Sequence, residues 1–272
     1  MEALFHITNK GRETSIGRKG VELSTLRKGL EILGLFSEET TLLDTSSVAK
    51  RMGLSKSTVY KYVQTLEGSR FLVREKSGRF FELGPRLLEL ASVAQKPSKL
   101  VDVSYPILQE LVDRTNETAH LVTIMGNYAV CLAGFESNHN LKLSYRPGAM
   151  YPLYAGASAQ VLLAGLDDAT QKGMLASVPL NRFTEKTITS RKELFNKLQQ
   201  IRRDGFAVSR GELDEGTFSV AAQILSGAGD VLGGISVGGP LHRLDASKET
   251  KYIKLVRGAA RKIARLLEES CC

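Results

Sequence analysis

Gly53 separates two short helical patterns, and this limits what the first third of the 272-residue chain can fold into more than any other feature. Before it, Val48, Ala49 and Met52 of "VAKRM" fall at helical spacing, with Ser46 or Ser47 placed to cap them. After it, Ser55 is a suitable N-cap for the helix that "KSTVYKYVQTLEG" predicts. Glycine accepts the left-handed backbone that ends a helix, so a tight turn joins the pair, which is the signature of a helix-turn-helix. Upstream, Leu26, Leu30, Leu33 and Phe36 recur at intervals of four, three and three, predicting an amphipathic helix over Thr25–Phe36.

The second helix of the pair has two unlike faces. At about 100° per residue, Val59, Tyr62, Val63 and Leu66 share one arc, and Ser57, Tyr60, Lys61 and Gln64 share the opposite one. A solvated face usually mixes Glu with Lys, but this polar arc has no acid before Glu67. Hydroxyl, phenol, amide and ammonium groups all bond base edges or phosphates. Lys56 and Ser57 lie in the first turn, where free backbone N–H groups favour an anion. Runs at Phe71–Arg74 and Phe80–Leu83 around Gly78 then predict a hairpin with Lys76 and Arg79 at its tip.

Charge supports the same reading. Eight Lys/Arg against two Asp/Glu between Ser46 and Arg79 put +6 of the formal +8 in this stretch, and a basic patch of that kind suits a polyanion. Helix, helix, turn, helix and basic hairpin together predict a module that binds double-stranded DNA. Ser57, Thr58, Tyr60, Lys61 and Gln64 are expected at the major groove, and Lys56, Lys76 and Arg79 at phosphates or the adjacent minor groove. One small domain reads few base pairs, so a homodimer or dimer of dimers on a pseudo-palindromic operator is expected.

Composition excludes other classes. No apolar run reaches the roughly 18 residues of a membrane helix, and residues 1–22 lack the apolar core of a signal peptide. They read as a flexible tail whose Lys10, Arg12, Arg18 and Lys19 are solvated. Cys131, Cys271 and Cys272 have no metal-ligand spacing, which predicts a cytoplasmic protein with no structural metal and no cofactor.

A DNA-binding domain over 23–84 is followed at Gly84-Pro85 by a linker helix over 85–99, with Leu87, Leu88, Ala91 and Ala94 as its apolar face and "QKPSK" as a boundary. Residues 100–270 read as a second domain. Its first helix, Leu100–Asn116, is expected to turn Tyr105, Leu108, Leu111 and Val112 inward, with Pro106 in its first turns. Strands "HLVTIM" and "YAVCLAGFE" flank Gly126-Asn127, and Leu141, Leu143 and Tyr145 alternate as a third strand. A short apolar helix at "SAQVLLA" and a helix boxed by Ser190 and Glu193, ending at Gly205, come next. Then follow strands "FAVSR", "TFSVAAQIL" and "VLGGISV", and a last helix that buries Ile253, Val256, Ala260, Ile263 and Leu267. This mixed order predicts an α+β fold with an antiparallel sheet. Period-two alternation sets Phe218, Val220, Ala222 and Ile224 on one face and Ser219, Ala221 and Gln223 on the other. Gly234, Ser236 and Gly238 share an equally small, polar face, which either holds a ligand or meets water.

From Ser24 to about Glu269 the chain resembles the IclR family of bacterial transcriptional regulators. The resemblance is carried by "LRKGLEILGLF", "VAKRMGLSKSTVYKYVQTLEGSRFL" and "RFFELGPRLLELA". It implies a winged helix-turn-helix, a linker helix through which a ligand alters the separation of two DNA-binding heads, and a GAF/profilin-like effector-binding domain. It also implies a small organic effector, held near the loop "YPLYAGASAQ" by Leu141, Leu143, Tyr151, Tyr154, Ala157, Ser158, Ser209, Ser219, Ser236 and Gly238. The chain departs from the family at Tyr154, where His is usual, and at Ala159-Gln160, where a Gly-Lys pair is usual. Ser209, Ser219 and Gly238 replace common acidic, Cys and Ser positions, so an aromatic or amide-bearing effector is expected.

Two rival readings exist. "GISVG" at Gly234–Gly238 matches the hydrolase nucleophile elbow, but Gly239-Pro240 follow where a helix is needed, and only His242 lies downstream. The other rival is a DNA-binding protein whose second domain serves only oligomerisation. The acids of "GELDEG" read as an acidic turn, and His120 and His139 as isolated, non-ligating histidines.

Overall fold

In the computed structural model, which describes residues 24–37, 39–94 and 99–269, the chain divides between Lys96 and Pro97 into two units. The N-terminal tail with Lys10, Arg12, Arg18 and Lys19, most of "QKPSK", and Cys271 and Cys272 lie outside the described residues.

The first unit contains α1 (Ser24–Leu33), α2 (Thr45–Met52), α3 (Lys56–Gly68), β1 (Leu72–Arg74), β2 (Phe81–Leu83) and α4 (Arg86–Ala94). The cap of α2 is Asp44, not Ser46 or Ser47. Its carboxylate accepts from the Ser46 and Ser47 amides at 2.7 and 3.1 Å, while Ser47 Oγ accepts from the Asp44 amide at 3.3 Å. A carboxylate reaches both orphan amides at once, which a serine hydroxyl does less well. Gly53 ends α2 at φ +66°, and Ser55 caps α3 by accepting from the Thr58 amide at 3.2 Å.

Ile32, Leu43, Val48, Val59, Val63, Leu72 and Phe81 form the core of this unit. The expected stripe on the first helix is corrected here: α1 stops at Leu33 and buries Ile32, whereas Leu26 and Leu30 are 60% and 58% exposed. Leu43 joins the wing by exchanging backbone bonds with Phe81 at 3.0 and 2.9 Å. Gly84 closes it: a Cβ there would lie 2.2 Å from the Arg70 carbonyl oxygen, so only glycine lets the two segments approach.

The second unit holds α5 (Lys99–Thr115), β3 (Thr118–Met125), β4 (Tyr128–Phe135), β5 (Met150–Pro152), α6 (Ala157–Gly165), α7 (Asp168–Ser177) and α8 (Arg191–Asp204). Then come β6 (Phe206–Arg210), β7 (Thr217–Leu225), β8 (Val231–Pro240), a short 3-10 turn at Leu241–Arg243 and α9 (Ala246–Glu269). Six antiparallel strands run in the order β5-β4-β3-β8-β7-β6. One face packs on α5 and α9 through Phe218, Val220, Ile224, Ile235 and Val237; the other is roofed by α6 and α8.

Three expectations for this unit change. Tyr105 is 55% exposed and packs edge-on to Phe135 at 4.6 Å, while Ile107 takes the inward place beside Leu108, Leu111 and Val112. Leu141, Leu143 and Tyr145 form no strand; the neighbour of β4 is β5. The Tyr145 carbonyl oxygen lies 2.9 Å from where a Gly134 Cβ would be, so the segment crosses β4 closely instead of running along it. The buried stripe of α9 includes Tyr252, Leu255 and Ala259, with Ile253 and Leu267 only half-buried.

Replacing Gly84 by Ala should destabilise the N-terminal unit by about 1–3 kcal/mol, because the backbone must move to admit the methyl group. Gly29→Ala, at a helical site with nothing within 4 Å, should not. Urea titrations of the two variants followed by circular dichroism provide the comparison.

Candidate functional site

On α3, Val59 and Val63 are fully buried, Tyr62 and Leu66 half-buried, and Ser57, Tyr60, Lys61 and Gln64 exposed. The helix is therefore seated by one face and free on the other. Three of its polar groups are already paired: Gln64 Nε2 donates to Tyr60 Oη at 3.1 Å, and Ser57 Oγ lies 3.0 Å from Ser55 Oγ. Thr58 is half-buried with its hydroxyl 2.8 Å from Ser55 Oγ, so it serves the cap and is less available than its neighbours. Arg74 binds Glu67 at 2.9 Å and the Gly78 carbonyl at 3.0 Å, tying the wing to α3. Lys56, Lys61 and Lys76 form no ion pair among the described residues, and Arg79 lies over the Phe80 ring at 5.2 Å. The result is a protruding helix face with unneutralised cations beside it, a shape and charge that fit a DNA groove.

In the second unit a cavity of about 30 Å³ lies at the N-terminal end of α6. It is lined by His120, Tyr145, Tyr151, Ser158, Ser209 and Ser219, with Gly156, Leu213, Asp214 and Thr217 around them. That volume holds about one or two waters, so anything larger requires the cavity to open. Gly156 (φ +85°) turns the chain into α6, and the Ala157 amide donates to Ser219 Oγ at 3.3 Å. Behind it, Ser236 Oγ lies 2.9 Å from His120 Nδ1 and 3.0 Å from Ser158 Oγ, and Tyr145 stacks on His120 at 3.7 Å. Burial lowers the His120 pKa to about 3, so the ring is neutral. Burial also raises the Tyr145 and Tyr151 hydroxyls, and desolvation holds the Asp214 carboxyl above its ordinary range. Among the described residues no Lys or Arg lines the cavity.

The family profile "Bacterial transcriptional regulator IclR C-terminal" matches residues 93–265, and "IclR helix-turn-helix domain" matches residues 25–76. The chain belongs to the IclR family. It is 31% identical to the HTH-type transcriptional regulator KdgR of Escherichia coli over 86% of this chain and 88% of that one. A crystal structure of the Thermotoga maritima IclR matches with TM-score 0.75 at 29% identity, covering 90% and 98% of the two chains. An IclR homolog complexed with 4-hydroxybenzoate from Microbacterium hydrocarbonoxydans matches with TM-score 0.75 at 24% identity, covering 90% and 99%. This chain is thus a DNA-binding transcriptional regulator with an IclR effector-binding domain. No helix among the described residues is long and apolar enough to cross a membrane.

Several positions drawn from the IclR resemblance sit elsewhere than expected. Tyr154 is not among the residues that line the cavity: its hydroxyl accepts from the Asn181 amide at 2.9 Å, and its ring stacks with Phe183 at 6.0 Å. Leu141 is exposed, and its carbonyl accepts from Arg243 at 2.9 Å. Leu143 and Tyr145 pack against the bare backbone of Gly238, where a Cβ would lie 3.2 and 3.1 Å from them. Gln160, in the place of the family's Lys, donates to the buried Glu212 at 2.6 Å, and Lys197 supplies the cation. His120, Tyr145 and Asp214 line the cavity but were not among the expected contacts; the register His120↔Ser236, which joins residues 116 apart, has no signal in local sequence.

The hydrolase elbow is absent. Ser236 lies inside the unbroken strand β8 and is fully buried, and His242 is on the 3-10 turn beyond it. An elbow needs an exposed serine at a strand-to-helix turn.

Because His120 takes up its proton at about pH 3 in the fold but near 6.5 when unfolded, its contribution is intact above pH 6.5 and is lost as pH falls toward 3. The loss approaches about 1.4 kcal/mol per pH unit. Wild type should lose about 2 kcal/mol from this group between pH 7 and 5, and His120→Gln should lack that component. Urea midpoints at the two pH values test it.

Proposed function

We propose that this regulator reads a pseudo-palindromic operator with α3. Ser57, Tyr60, Lys61 and Gln64 face base edges, Thr58 holds the first turn, and Lys56, Lys76 and Arg79 meet phosphates. The observation that carries this is the acid-free polar face of α3, seated on Val59 and Val63. The first-turn amides of Lys56 and Ser57, ahead of the capped Thr58 amide, add the positive helix terminus to the same surface. The regulator acts in the cytoplasm as a homodimer or a dimer of dimers. Leu26 and Leu30 on α1 and Leu88 and Val93 on α4 are large apolar groups exposed in the single chain, and a second copy would cover them.

The effector is a small organic molecule that enters at Ser158, Ser209 and Ser219 and stacks on Tyr145 or Tyr151, with no catalytic step. The rings and hydroxyls of that lining support an aromatic ligand with polar substituents, in keeping with the 4-hydroxybenzoate named for one structural relative. The oligomerisation-only reading is not favoured, since a buried polar cavity adds nothing to assembly.

Lys61→Ala should weaken operator binding about tenfold and lower the salt slope by about one if its contact is to phosphate. Fluorescence anisotropy on the DNA upstream of its own gene, at several salt concentrations, reads both quantities; unchanged affinity removes Lys61 from the interface. Ser219→Phe overfills the cavity and, where circular dichroism shows the fold retained, should abolish thermal stabilisation by a panel of hydroxylated aromatic acids. Equal stabilisation of that variant would place the effector elsewhere.

A further inference from the structure

A second cavity, of about 330 Å³, lies between α5 and α9, on the sheet face opposite the one roofed by α6. Its volume falls within the range of small-molecule sites, roughly 300–1,000 Å³. Its floor is apolar: Ile107 and Leu111 from α5, Leu255 and Ala259 from α9. Its rim is cationic. Lys262 Nζ and Arg114 Nη1 both bond Glu110, at 3.0 and 3.2 Å, so one carboxylate is shared by two cations. Lys254 has no hydrogen bond or ion pair among the described residues. Lys251 stands beside them, donating to the Arg114 carbonyl at 3.1 Å.

Gly258 opens the wall between these cations. A Cβ there would meet nothing within 4 Å, so packing inside this chain does not require glycine, which weakens a helix interior. An unpaired ammonium, an under-neutralised guanidinium and a greasy floor under a bare helix backbone share one complement: a molecule with an apolar body and an anionic end.

We propose that the α5–α9 groove is a second ligand site, taking a small amphipathic anion such as an aromatic carboxylate. The apolar body lies over Leu111, Leu255 and Gly258, and the carboxylate meets Lys254 and the free edge of Arg114. A second copy of α9 fits the groove less well, because its seven Lys/Arg against three Glu would set a net charge of +4 against these cations. The site is separate from the small cavity and stands whether or not that cavity binds the effector.

The test is calorimetric titration of the full-length protein with 1-naphthoate. Saturable binding at one molecule per chain is expected, weakened about tenfold or more by Lys254→Glu and by Gly258→Leu, and unchanged by Ser219→Phe. Gly258→Leu replaces an exposed helical glycine by a better helix former, so circular dichroism should show the fold retained. The neutral 1-naphthalenemethanol should bind about tenfold more weakly than 1-naphthoate. No saturable binding, equal affinity in Lys254→Glu, or loss in Ser219→Phe would each overturn the proposal. So would sedimentation showing that Gly258→Leu splits an oligomer, which would make the groove a contact between copies.

Discussion

The alternation along β7 and β8 is the constraint on which the C-terminal unit depends. Phe218, Val220, Ala222, Ile224, Ile235 and Val237 point toward α5 and α9, and their neighbours point toward α6. A strand reverses face at every residue, so one slip in register would exchange the two sets. Burying these six apolar side chains on one side fixes the register. Ser219, Gln223 and Ser236 are thereby presented to α6 with no freedom of their own. Gln223 Nε2 donates to the Val161 carbonyl at 2.8 Å, and Ser219 and Ser236 meet the first turn of α6. The polar side of the sheet is positioned by the apolar side.

The N-terminal unit uses the same division on a helix. Val59 and Val63 are buried against Ile32, Val48 and Leu72, so the rotation of α3 is set by packing and the outer residues are exposed as a consequence. Capping fixes the ends: Gly53 stops α2, and Ser55 starts α3 two residues later. Arg74, bound to Glu67 and the Gly78 carbonyl, holds the wing at a defined place beside that face. Surface ion pairs contribute little to stability, so the value of this one lies in geometry.

What local sequence carries, and what it does not, follows from the range of each interaction. Helix periodicity, the Gly53 stop, the Ser55 cap and the Gly126-Asn127 turn involve neighbours within a few residues, and these were legible. So was the period-two split of β7. Asp44 was harder, because a carboxylate two residues ahead of a Ser-Ser pair competes with both serines for the cap. Leu141 to Tyr145 alternate like a strand, yet the segment is diverted where Gly134 lets a backbone cross β4. Leu26 and Leu30 show correct helical spacing but lie outside the core of their own unit. Spacing reveals that a face is apolar, not what covers it. His120 could not be placed beside Ser236 from sequence, since that pairing depends on the central register of the sheet.

The small cavity constrains how a ligand can act. In the closed arrangement Ser158, Ser236 and His120 satisfy one another, and the neutral imidazole is kept from water by Tyr145. A ligand that enters must replace those bonds, because a buried hydroxyl left without a partner costs about 1–3 kcal/mol. An effector able only to fill space would leave the serines unsatisfied and favour the closed state. One with its own donors and acceptors over an aromatic body would exchange one set of bonds for another and gain ring stacking besides. Only that differential affinity between closed and open forms shifts a population. On the proposal that the effector enters here, the opening of the cavity at the start of α6, rather than the contacts of a preformed pocket, is the step at which one small molecule is distinguished from another.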